Sequence, residues 1–241
     1  NPSRNLFRDK GSVIMSCVPG TNEILVYNND NESVAKKTIE FPPLTANFIL
    51  PNSAWVNHHN KLYISGGNVG GYPSALFLCY DYALNQIVRL ADMETPRHSH
   101  SIIAHDDCIY VIGGHENNSC EKYDLKTSKW TKINNMFSDE RKNPVLHVYN
   151  GFLYCFFGMK GNTYLDTVER LSLKTHKAKW EIVAYQNHDN IDLGMIGCGI
   201  IQASDNEIFL FGGKKGDQIK DSLIKFSYKN LTFSNLATIE D

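Results

Sequence analysis

A run of histidines and two arginines are the side chains of this chain best equipped for chemistry. His98 and His100 stand two residues apart, so an extended backbone presents both on one face, with His105 and His115 further along. Two imidazoles on one strand face can begin a zinc or copper site. No acid or cysteine joins them at ligand spacing, and Asp106 and Asp107 fall in a turn, so neither a metal nor another cofactor is expected. There is no Gly-x-Ser-x-Gly nucleophile turn and no phosphate-cradling Gly-x-x-x-x-Gly-Lys, so no catalytic residue and no enzyme are expected. Arg97 and Arg141 remain. They occupy matching places ahead of two apolar strands, and guanidiniums so placed can grip a carboxylate or phosphate with two parallel hydrogen bonds. The plainer alternative is that they pair with nearby loop acids such as Glu94 and Asp139.

The elements that must position these residues recur. Four apolar strands end at glycine: Leu62–Gly67, Ile109–Gly114, Leu153–Gly158 and Ile208–Gly213. Their last glycines are 47, 44 and 55 residues apart, too far for one hairpin and suited to a four-stranded unit. A tight-turn pair precedes each strand: His59-Asn60, Asp106-Asp107, Asn150-Gly151 and Asp205-Asn206. A short strand precedes each turn, as in 101–105 and 145–149. After the glycines, Tyr80 and Tyr123 end a further strand, and a large apolar residue follows seven positions later, Ile87 or Trp130. The same offset links Phe226 to Phe233 and Tyr27 to Val34, while Leu171 and Trp180 are nine apart, an insertion of two. Each unit reads strand, turn, strand, glycines, strand, turn, strand, and no segment sustains a helical period.

The glycine pairs 66–67, 113–114 and 212–213, the Tyr-Asp at 80–81 and 123–124, Trp130, Trp180 and the link Met93-Glu-Thr-Pro-Arg-His98 together resemble the kelch family. The resemblance covers nearly the whole chain. It implies an all-β fold, a kelch-type β-propeller of four-stranded antiparallel blades, with residues 1–241 as one domain. About five blades are expected, near 1–41, 43–90, 92–137, 138–185 and 190–239; six blades with missing sequence is the alternative. Two departures predict local distortion. Phe157 stands where the fourth unit needs its first glycine, and the first unit has no glycine pair and no clear inner strand.

Composition narrows the class of partner. The chain has 241 residues, 42% hydrophobic and 21% charged, with a formal charge of −2, which removes the electrostatic footprint of a nucleic-acid binder. No apolar run approaches the ~20 residues of a membrane helix. The six cysteines sit mostly in apolar runs with no Cys-x-x-Cys, so they read as buried hydrophobes in a reducing compartment, and a cytoplasmic location is expected.

In such a blade the loop between strands two and three emerges beside the link between blades, and binding residues concentrate on loops held by a rigid scaffold. The links contribute Arg97, His98, Glu140, Arg141 and Lys142; the loops contribute Tyr72, His115, Asn117, Asn162, Tyr164 and Lys214. Tyr72 and Tyr164 are anchors of the kind enriched at hot spots. The resemblance implies a non-enzymatic module that captures a protein or peptide on this face. Many relatives are the substrate-binding end of BTB-domain adaptors for cullin ubiquitin ligases, and the start of this chain resembles the passage from a BTB–BACK region into its propeller. A cytoskeletal scaffold (actin or ciliary) is the alternative, and a small-molecule enzyme at the channel mouth the alternative of another class.

Overall fold

A computed structural model describes residues 13–42, 48–138, 140–175 and 177–238. Among them every regular element is a β-strand, gathered into five blade sheets and three small hairpins, the all-β architecture expected. Blade 1 has three described strands, Val13–Val18, Glu23–Asn28 and Ser33–Thr38. Blade 2 comprises Ala54–His58, Lys61–Ser65, Phe77–Asp81 and Gln86–Arg89. Blade 3 comprises Ser101–His105, Cys108–Ile112, Cys120–Asp124 and Lys129–Ile133. Blade 4 comprises Val145–Tyr149, Phe152–Phe156, Val168–Ser172 and Trp180–Ile182. Blade 5 comprises Gly199–Ser204, Glu207–Phe211, Ser222–Ser227 and Thr232–Thr238, and the link segment Gln186–Asn187 joins its last strand in parallel.

The recurrent spacing has a direct cause: the residues it relates face each other across a hairpin. Tyr27 pairs with Val34, Tyr80 with Ile87, Phe226 with Phe233, and, across the longer turn, Leu171 with Trp180. Cross-strand pairs of this kind fix register. Three of the four turn pairs take the left-handed backbone of a tight hairpin at His59, Asn60, Asp106, Asn150 and Gly151. In blade 5 the register shifts between Gln202 and Ser204 instead, a bulge that takes up the turn.

Phe157 leaves blade 4 undistorted. It adopts φ 56°, in the same region as Gly66, Gly113 and Gly212, and its ring is buried beside Phe156 and Phe233. Apolar packing holds an aromatic residue where sterics favour glycine. In blade 1, Gly20 makes the turn after the first described strand and donates its N–H to Ile49 O at 2.8 Å.

Residues Asn1–Ile112 with Glu121–Lys132 form one compact unit, and Gly113–Cys120 with Ile133–Asp241 another. In the first unit Met15, Ile24 and Val26 meet Leu62, Leu78 and Tyr80, while Tyr63, Phe77 and Cys79 meet Ile109 and Tyr123. The core of the second is aromatic, built on Tyr154, Phe156, Phe157, Phe226 and Phe233. All six cysteines are free; Cys108 is half-buried and the others buried, with at least one in each of blades 1 to 4 and Cys198 in the link just before blade 5. Burial pushes the thiols of Cys17, Cys155 and Cys198 up to about 12 and that of Cys79 to about 11. Among the described residues no helix is long and apolar enough to cross a membrane.

Candidate functional site

Each inner hairpin leaves its sheet at the glycines, and the following loop folds back against a link. Three loops are themselves two-stranded: Asn68–Val69 with Tyr72–Pro73, Met159–Lys160 with Thr163–Tyr164, and Lys214–Lys215 with Gln218–Ile219. Glycines with positive φ turn their tips, at 70–71, 161 and 216. Backbone bridges tie the loops to links: Ser74 to Arg97, Gly114 to Arg141, Lys142 to Met159, and Ile196 to Lys214. Within each unit, loops and links therefore share a face, as the antiparallel topology requires.

Arg97 and Arg141 do not grip anything on that face. Both side chains are fully buried, and each meets a strand glutamate at 2.6 Å: Arg97 Nη2 on Glu121 Oε1, and Arg141 Nη2 on Glu169 Oε1. Neither acid belongs to a loop, and Asp139 lies outside the described residues. The same carboxylates receive the link's backbone. Glu121 accepts the N–H groups of Glu94 and Thr95 at 2.7 and 3.0 Å; Glu169 accepts the Phe137 N–H at 2.9 Å and the Ser138 hydroxyl at 3.3 Å. Arg141 also donates to the carbonyls of Phe157 and Thr167. Each arginine is thus a buried clamp between a link and the third strand of its blade, with its charge consumed inside the fold.

The other expected residues divide by exposure. Tyr72, at a hairpin tip, is 77% exposed with Val69 beside it, while Asn162 and Lys214 are also exposed. Tyr164 is half-buried, its hydroxyl accepting the Gly216 N–H at 2.7 Å, so it pins a neighbouring hairpin and is no free anchor. Asn117 caps its own loop through the Ser119 N–H. His98 is half-buried with Nδ1 3.1 Å from Ser99 Oγ, whereas His100 is buried with Nε2 2.7 Å from Ser65 Oγ, so the two imidazoles serve separate partners.

The hub of the second unit's face is Glu140. Its carboxylate accepts the N–H groups of Glu116 and Gly161 at 2.9 and 2.8 Å, and lies 3.0 Å from His115 Nδ1 and 3.7 Å from Lys142 Nζ. Burial alone raises this carboxyl; those donors outweigh it and hold it down to about 2. Lys142 Nζ also donates to Gly161 O, so His115, Lys142 and the 159–164 hairpin form one braced surface. Asp192 braces the next hairpin through Lys215 at 2.6 Å and Lys220 at 2.9 Å. Exposed Ile219 stands at the end of that hairpin.

Glu121, Glu169 and Ile219 were not foreseen. The glutamates had a signal: each stands two residues before the strand's cross-paired residue, only in the two units whose link carries arginine. Among the described residues no group of three or more His, Cys, Asp or Glu is placed to hold a metal. The face offers braced backbone, amides, ammonium groups and apolar tips, which is equipment for binding.

A family model described as the KLHDC2/KLHL20/DRC7 Kelch-repeats domain matches residues 18–213. A putative F-box/kelch-repeat protein of Arabidopsis thaliana is 29% identical over 192 residues, 76% of this chain and 51% of its own length. Kelch-like protein 23 of Homo sapiens is 33% identical over 101 residues, 39% of this chain and 17% of its own; alpha-scruin of Limulus polyphemus is 22% identical over 182 residues, 66% and 20%. The chain spans about half the length of the first of these relatives and less of the others. Kelch propellers are generally non-enzymatic protein-interaction modules. The family match over most of the sequence, the repeated four-stranded sheets and the glycine-ended inner strands agree: this chain belongs to the kelch-repeat family.

Proposed function

We propose that the chain captures a protein or peptide partner on the face formed by the links and the loops after the glycines. The observation that carries this is the pairing of rigid loop bases with solvent-exposed apolar side chains, Tyr72 and Val69 on a hairpin of the first unit and Ile219 on a hairpin of the second. An exposed tyrosine or isoleucine on a braced hairpin gains contact area on binding and loses little chain entropy. Asn162, Lys214, Lys142 and His115 supply polar contacts on the loops and links of the second unit. Partner capture serves substrate recognition for a cullin-type ubiquitin ligase, a role in keeping with the F-box/kelch-repeat and kelch-like relatives.

Affinity enrichment from cells with the wild type, Tyr72→Ala and Lys214→Glu tests the reading. A recurrent client, accompanied by ligase components, is expected with the wild type and should fall at least about tenfold with either variant. Val88→Ser, on an exposed outer strand of blade 2, should leave capture intact. Loss with Val88→Ser alone, together with filament proteins in the catch, favours a scaffold working through outer blade edges. Equal capture by all four proteins overturns the loop face.

A further inference from the structure

The loop surface of the first unit is built almost without charge. From Phe41 to Tyr80 the sequence holds one Asp, Glu, Lys or Arg, namely Lys61, where the chain's 21% would place about eight in 40 residues. Lys61 opens the second strand of blade 2, at the end away from the glycines, and lies 3.0 Å from Asp81. It is therefore no part of the loop surface. Farther along the chain, Asp92 and Glu94 each lie against a base, Arg89 and Lys132. The second unit differs in kind: its loops and links carry Glu116, Lys142, Lys160, Lys214 and Asp217.

What the first unit offers instead is continuous. The Asn68 N–H donates to the Pro51 carbonyl at 2.8 Å, so the link before blade 2 lies beside the base of the 68–73 hairpin. Ser74 bridges to Arg97, and the Ser99 N–H donates to the Asn52 carbonyl at 2.9 Å, which brings in the link after blade 2. Pro51, Asn52, Val69, Tyr72, Pro73 and Pro96 are all exposed. Val69 pairs directly with Tyr72 across the hairpin. Three prolines and a hydrogen-bonded hairpin keep the surface stiff before anything binds. Beneath it Arg97 is buried against Glu121 at 2.6 Å, and burial lowers the pKa of His100 well below the usual histidine range, so neither adds net charge.

We infer, building on the partner capture proposed above, that this surface receives an uncharged peptide segment, one with apolar and amide side chains and no Asp, Glu, Lys or Arg where it lies on Val69 and Tyr72. The occupant follows from charge matching. A carboxylate or ammonium laid there would lose water and meet no opposite charge. An apolar side chain covering the Tyr72 ring and Val69 gains from the same transfer. Neutrality is thus a filter that rejects charged segments of either sign.

Random peptides displayed on phage, selected on the full chain and then screened against Tyr72→Ala, test this. Peptides lost with Tyr72→Ala should be depleted in charged residues at least about threefold relative to the starting library. Their affinity should change less than about twofold between low and high salt. Val69→Lys should weaken them at least about tenfold, and Val69→Gln, uncharged and of similar reach, should weaken them less. A second selection, on Val69→Lys, should recover peptides carrying Asp or Glu. Tyr72-dependent peptides that are rich in charge, or that bind Val69→Lys as well as Val69→Gln, overturn the inference and leave partner capture standing. A selection that yields no Tyr72-dependent peptide overturns both. Far-ultraviolet circular dichroism of each variant separates a lost surface from a lost fold.

Discussion

Blades 3 and 4 place a buried arginine and glutamate where blades 2 and 5 place two apolar side chains. The register is fixed by a residue of positive φ in each link, at Asn52, Ser99, Asn143 and Gly197. Two positions earlier stand Leu50, Arg97, Arg141 and Met195, all buried. Their strand-three counterparts are Leu78, Glu121, Glu169 and Ile224. One backbone frame therefore accepts either chemistry. The apolar pairs gain from transfer out of water. The ionic pairs carry a desolvation cost, offset by mutual attraction and by the link groups that Glu121 and Glu169 accept. The difference teaches that the buried charge adds hydrogen bonds to a link whose path the shared frame already sets.

The largest effect tests that contrast directly. Glu121→Ala leaves Arg97 buried without its carboxylate and should cost about 3–5 kcal/mol in urea unfolding. Replacing both partners, Arg97→Leu with Glu121→Leu, copies the chemistry of blade 2 and should fall within about 2 kcal/mol of the wild type. If the double variant is as damaged as the single one, the bonds to the Glu94 and Thr95 N–H groups carry the stability.

Next comes the backbone of the clamp. A Cβ on Gly113 would stand 2.5 Å from the Arg141 carbonyl in a left-handed backbone, so Gly113→Ala should cost about 2–4 kcal/mol. Gly161→Ala, with equal backbone strain and open space around it, should cost only about 1 kcal/mol. Equal costs at the two sites would show that the close approach to the link contributes nothing.

Acid separates the blades again. Burial pushes His147, in blade 4, down to about 4, although a hydrogen bond from its protonated ring to Gln202 opposes the shift. The unfolded chain binds the proton more readily, so this contribution is full above pH ~6.5 and is lost as pH falls toward 4, about 3 kcal/mol in all. Ile201 occupies the matching place in blade 5 and has no proton to bind. His147→Val should flatten the stability profile between those pH values; an unchanged slope assigns the acid sensitivity elsewhere.

Strands, turns and blade count were legible because they rest on local patterns. The seven-residue offset reports a cross-strand pair such as Tyr80 with Ile87, and glycine before a loop reports positive φ. The clamps were not legible in the same way. Arg97 and Glu121 are 24 residues apart and charged, and charge reads as surface unless a partner is known. Phe157 misled for a related reason. Sterics forecast distortion, but the buried aromatic cluster around it outweighs a local preference. Tyr164 had the residue type of an anchor, and only tertiary contact showed its hydroxyl spent on Gly216.

The cysteines, finally, are clocks that the fold has already installed. Cys17, Cys79, Cys120 and Cys155 lie buried in blades 1 to 4 and Cys198 in the link just before blade 5, and a thiol held out of water reacts with an alkylating reagent only when its own surroundings open. The rate at which each is labelled in the native protein reads the opening of one blade. Five equal rates would mean that the array melts as a whole, and a gradient along the chain would mean that it frays blade by blade.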